Sequence, residues 1–97
     1  MTVTFYRKQE DGKVQYYSIH DRQGDLFTPF VLTAVWGNDL NTGRVKVFTF
    51  KNSEDLEKKL RSVFLSRVRN GYKVLYSFAR SAKHKKMFEE LSKAASG

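Results

Sequence analysis

The sequence predicts an α+β fold: a mostly antiparallel β-sheet of about five strands, one main helix packed on it, and a C-terminal helix. Three observations carry this. The first half of the chain alternates apolar and polar residues with a period of two. Beyond residue 51 the apolar spacing changes to three and four, the period of a helix. Turn clusters rich in Asn, Asp and Gly separate the segments.

Val3 to Gln9 is rich in strand-forming residues, and Asp11-Gly12 closes it with a turn. Lys13 to His20 forms the second strand. Val14 and Tyr16 fall on one side of it, and Gln15, Tyr17 and Ile19 on the other. Asp21 to Asp25, with Gly24, reads as a polar loop. Phe30 to Trp36 is the third strand, with Phe30, Leu32, Ala34 and Trp36 on one face. Pro29 precedes it, where a missing amide donor does least harm. Gly37 to Gly43 is a turn into a fourth strand, Arg44 to Phe50, so these two strands form an antiparallel hairpin.

Asn52 or Ser53 then caps a helix. Leu56, Leu60, Val63, Phe64 and Val68 make one apolar stripe along it. Acids fill its first turn and bases its last, as the helix dipole favours. Asn70-Gly71 stops it, with Gly71 suited to a left-handed conformation. Lys73 to Phe78 is the fifth strand. A weaker helix runs from Ser81 to Ala95, with Met87, Phe88, Leu91 and Ala95 as its apolar side.

At 97 residues the chain is one domain, and eight Phe, five Tyr and one Trp supply enough bulk for one core. The absence of cysteine excludes disulfides, thiolate nucleophiles and Cys-based metal sites. No apolar run approaches the roughly 18 residues that span a bilayer. No signal-peptide pattern opens the chain, so a cytoplasmic location and no membrane partner are expected.

Net charge is +8, and its distribution is uneven. Residues 1–50 hold six basic and five acidic side chains, and residues 51–97 hold twelve and five. Between Lys58 and Phe88 there are ten bases and no acid. Such asymmetry favours a polyanionic partner. No phosphate-cradling glycine motif, nucleophile–base pattern or metal-ligand spacing is present. His20 and His84 are far apart and read as exposed, idle side chains. The chain is therefore expected to be no enzyme and to need no cofactor and no metal.

The centre of the chain resembles the WGR domain, named for a Trp-Gly-Arg signature and found in poly(ADP-ribose) polymerases and many small bacterial proteins. The signature strand here ends in Leu32-Thr33-Ala34-Val35-Trp36-Gly37. The family's later glycine, strand-ending phenylalanine and Gly-Tyr pair have counterparts in Gly43, Phe50 and Gly71-Tyr72, at seven, fourteen and thirty-five residues after the Trp. Gln15-Tyr16-Tyr17-Ser18-Ile19 is similar to the family's aromatic strand before the signature. The resemblance covers residues 5–78, so residues 1–78 read as a WGR-like domain and 79–97 as a basic C-terminal helix or tail. The sequence departs from the pattern at four places: Asn38 replaces the signature Arg, Val35 precedes the Trp, and Leu40 and Arg44 stand where the family has Gly and Gln. The resemblance implies nucleic-acid binding, with DNA favoured, and carries over the signature Trp but not the signature Arg.

The candidate nucleic-acid-binding residues begin with Trp36 and Asn38. Trp36 stacks on a sugar or base or caps the core, and the two roles are compatible. Arg44 and Lys46 share a strand face with Phe48 and Phe50, and are either contact residues or a charged sheet margin. Lys58, Lys59 and Arg61 each follow an acid by four residues and read as solvated helix surface. Arg67, Arg69 and Lys73 have no such acids. Arg67 falls about 20° from Leu56 around the helix, within the apolar stripe, so it either snorkels or serves the position the family fills with Lys. Arg80, Lys83, Lys85 and Lys86, beside His84, form a run that binds phosphates or only aids solubility. The competing reading is a protein–protein adapter, with a separate protein partner or a homodimer. An exposed apolar patch would favour it.

Overall fold

The computed structural model describes residues 1–38, 43–79 and 81–96, the side chains of 94–96 excepted. The elements are β1 (Thr2–Lys8), β2 (Val14–Gln23), β3 (Phe30–Gly37), β4 (Arg44–Phe50), α1 (Ser53–Arg69), β5 (Lys73–Phe78) and α2 (Ala82–Ser96). The strands form one sheet in the order β4-β3-β2-β1-β5, every neighbouring pair antiparallel. The α+β class, the strand count and both helices agree with the sequence reading.

The order of the strands assigns α1 its task. Consecutive strands β4 and β5 lie at opposite edges, roughly 19 Å apart at the usual strand spacing. The 17 residues of α1 reach about 25 Å, enough to carry the chain across the sheet. Its buried Leu56, Leu60, Val63 and Phe64 face down onto Val3, Phe5, Tyr17, Ile19, Leu32 and Ala34. Phe64 meets Phe5 edge-on at 5.1 Å and stacks on Phe88 of α2 at 6.1 Å. The second helix is part of the core, with Met87, Phe88 and Leu91 buried. Ala95, expected on that apolar side, lies outside the described side chains. Each fully buried Leu or Phe contributes about 1.5–3 kcal/mol relative to exposure.

The cap of α1 is Asn52, not Ser53. The Asn52 side-chain oxygen accepts the Asp55 amide at 2.9 Å. At the other end Gly71 adopts φ +89°, the Gly71 amide donates to Val68 and the Tyr72 amide to Arg67. This pairing closes the last carbonyls of the helix and turns the chain into β5.

One segment differs from the sequence reading. The second strand runs on to Gln23, where a polar loop from Asp21 was expected. Arg22 and Gln23 pair with Val31 and Phe30, and Asp21 accepts a hydrogen bond from the N-terminal ammonium. The polar side chains there are tied into the sheet instead of solvating a loop. The loop proper is shorter, and Asp25 organises it by accepting the amides of Thr28 and Phe27 and the Thr28 hydroxyl. Those bonds, the Thr28 amide foremost, hold its carboxyl below the usual value.

Both helices cover the same sheet face. No helix among the described residues is long and apolar enough to cross a membrane.

Candidate nucleic-acid interface

Period two puts Arg7, Tyr17, Trp36 and Arg44 on the helix-covered face, at the end of the sheet where α1 terminates. Trp36 is the lateral neighbour of Tyr17 on one side and of Arg44 on the other. The indole stacks on the Tyr17 ring at 5.8 Å with an interplanar angle of 22°. It is partly buried against the core, so it caps the core and keeps an exposed margin.

Arg67 continues the stack. Its guanidinium lies 4.8 Å from the Tyr17 centroid and 5.6 Å from that of Tyr72. Arg7 approaches the Tyr72 ring at 4.7 Å. The result is a row of stacked rings and guanidinium groups in the order Trp36, Tyr17, Arg67, Tyr72, Arg7. Cations over ring faces are favourable because the π cloud is negative. Burial raises the Tyr17 hydroxyl above its ordinary value, against the opposing pull of Arg67. The buried Arg67 Nε has no hydrogen-bond partner among the described residues. Arg67 has no ion pair among the described residues. Its stem lies in the apolar stripe while its head is sandwiched by tyrosines.

Arg7 escaped the sequence reading. It donates to the Asn70 carbonyl at 2.8 Å and to the Gln15 side chain, binding β1 to the end of α1. Its position on the face of Val3 and Phe5 was readable from alternation. That it would meet the helix C-terminus was not, because that contact joins residues 63 positions apart.

The remaining candidates do not form one group. Arg44 and Lys46 are exposed beside Trp36, and the Lys46 ammonium lies 5.1 Å over Phe48. Asn38 is exposed just past β3 and Arg69 at the end of α1, at the same end of the sheet as the stack. Lys73 is exposed as well, but as the cross-strand partner of Tyr6 it lies on the opposite face of the sheet. Lys83, Lys85 and Lys86 lie on α2 instead. Arg80 lies outside the described residues. Lys83 pairs with Glu57 at 2.9 Å, about 15 Å along α1 from Arg67. The acid-free stretch is continuous in sequence and divided in space.

The helical pairs of acids with Lys58, Lys59 and Arg61 do not close among the described residues. Glu57 turns to Lys83 and His84, the Asp55 carboxylate accepts the Asn52 side-chain amide at 3.3 Å, and the Lys59 ammonium sits 4.5 Å over Phe48. Partners at the cap and on neighbouring elements outcompete the weak helical pairs. The two histidines, distant in sequence, line one open groove of about 580 Å³ with Arg22 and Phe78. Among the described residues no cluster of His, Cys, Asp or Glu is suited to a metal ion.

Comparison with protein-family models, curated proteins and solved structures finds no match to this chain.

Proposed function

We propose that this chain is a non-catalytic nucleic-acid-binding module of the WGR type, with DNA as its favoured ligand. The observation that carries the reading is the ring–guanidinium row ending in Trp36, flanked by exposed Arg44 and Lys46, in a chain of net charge +8. The cations supply phosphate contacts, and the free margin of the indole stacks on a sugar or base. Stacking beneath Trp36 fixes the ring in advance, so little rotamer freedom is lost on binding. Phosphate contacts and stacking read no base edges, so contacts of this kind favour shape and charge over sequence.

The test is a fluorescence-anisotropy titration of a labelled blunt DNA duplex at low and near-physiological salt. Binding that weakens steeply with salt, and further on Trp36→Ala, supports the reading. An absence of binding even at low salt sinks it. The adapter reading then leads, favoured by exposed Val45 and Val47 on β4 and Leu75 on β5.

A further inference from the structure

The sheet face opposite the helices is chemically unusual. An antiparallel sheet exposed on one side ordinarily shows polar residues there. Here cross-strand partners build three aromatic-bearing rows. Tyr16, Tyr6 and Lys73 stand abreast on β2, β1 and β5. Next come Ser18, Thr4 and Tyr76, then His20, Thr2 and Phe78. Tyr76 and Phe78 are 56% and 49% exposed, far more than a core role would leave. No strand contributes a carboxylate to this face: its charged residues are Lys8, Lys73 and Arg22, all exposed.

The arrangement is a platform with aromatic rings in its middle and cations at both ends. Lys8 and Lys73 mark one end and Arg22 the other. The track along β2 between Val14 and Arg22 measures about 27 Å. A folded protein partner is matched by apolar area and mixed charge. Exposed Val45 and Val47 add apolar area on β4, at the far edge of this face, and the Asp25 carboxylate lines a groove with Arg22. On β1, β2 and β5 the rings stand beside cations alone, which matches a ligand with flat apolar faces joined by anions. Unpaired nucleotides are such a ligand. In a duplex the base faces are stacked on one another and closed to a sheet.

We infer that this open face binds single-stranded nucleic acid, bases stacking on Tyr6, Tyr16, Tyr76 and Phe78 while Lys8, Lys73 and Arg22 meet the phosphates. The inference rests on the nucleic-acid reading and gives it a second surface, on the opposite side of the sheet from Trp36. Rings on β1, β2 and β5 accept any base, so sequence tolerance follows. Base stacking and phosphate contacts do not depend on the ribose hydroxyl, so DNA and RNA strands share the chemistry.

The experiment titrates labelled oligothymidine and oligouridine of about 12 nucleotides, and a blunt duplex, against the full chain. Wild type is compared with Tyr6→Ala/Tyr76→Ala, Tyr6→Phe/Tyr76→Phe, Lys8→Glu/Lys73→Glu and Trp36→Ala. Expected is a loss of single-strand affinity of at least about fivefold in the alanine variant, and none of that size in the phenylalanine one. The charge-reversed variant, altered only at exposed positions, must lose it as well and guards against misfolding of the first. The two oligonucleotides separate DNA from RNA preference. Duplex binding lost with Trp36→Ala, beside single-strand binding untouched by the tyrosine and lysine variants, overturns the inference and leaves the broader reading standing. No binding of any nucleic acid at low salt overturns both and gives this face to a protein partner.

Discussion

The guanidinium of Arg67, near the end of α1, lies 4.8 Å from the centroid of Tyr17 on β2. This contact joins the helix C-terminus to β3, because the other neighbour of Tyr17 is Trp36. Burial disfavours the tyrosinate, so the folded-state value of Tyr17 lies above 10.0. The unfolded chain releases that proton first as pH rises. The contribution of Tyr17 is therefore fully present below pH 10.0 and is lost as pH rises through the folded value. Melting temperatures measured between neutral pH and strongly alkaline solution are expected to fall at the alkaline end, and less steeply in Tyr17→Phe.

Asn52 and Ser53 are chemically similar candidates for one cap, and only Asn52 is bonded to the Asp55 amide. Asn52→Ala is expected to cost about 1 kcal/mol, and Ser53→Ala a few tenths at most. Urea unfolding of the two variants decides between them. Equal losses would count against the cap as described.

Gly24 lies where the chain leaves β2. A Cβ built there would stand 2.1 Å from the Thr28 carbonyl oxygen and 2.8 Å from Val31 Cγ2. The carbonyl is backbone and cannot swing aside. Gly24→Ala is expected to destabilise by about 1–3 kcal/mol, the usual range for overpacking. A midpoint in urea equal to wild type would show that the loop repacks freely.

Phe64 is 1% exposed between Phe5 and Phe88. Phe64→Ala removes the ring that joins sheet, α1 and α2, and is expected to cost about 3–5 kcal/mol. Circular dichroism during thermal melting would report it as a single large drop in stability.

Lys83 is ion-paired with Glu57, whereas Arg44 has no ion pair among the described residues. Arg44→Ala is therefore expected to weaken duplex binding more than Lys83→Ala, and to flatten the logarithmic salt dependence by about one phosphate contact. Anisotropy titrations over a salt series compare the slopes. A larger effect at Lys83 would move the interface to α2.

Local pattern made most of the architecture legible. Alternation placed Phe30, Leu32, Ala34 and Trp36 on one face, and the stripe from Leu56 to Phe64 marked the buried side of α1. Gly71 announced its own conformation because few other residues accept it. The boundary of β2 was misjudged at Asp21 because polar residues at a strand end look like a loop until their cross-strand partners are known.

The sequence by itself determined the elements, their order along the chain and the inward faces, since these follow from the periods of strand and helix and from caps and turns a few residues long. The tertiary structure alone decided that β5 joins β1 and not β4, that Arg7 reaches Asn70, and that Glu57 leaves its helical neighbour for Lys83. It also decided which sheet face both helices leave open. Those are contacts between residues far apart in the chain, and their energies depend on distances that no local pattern encodes.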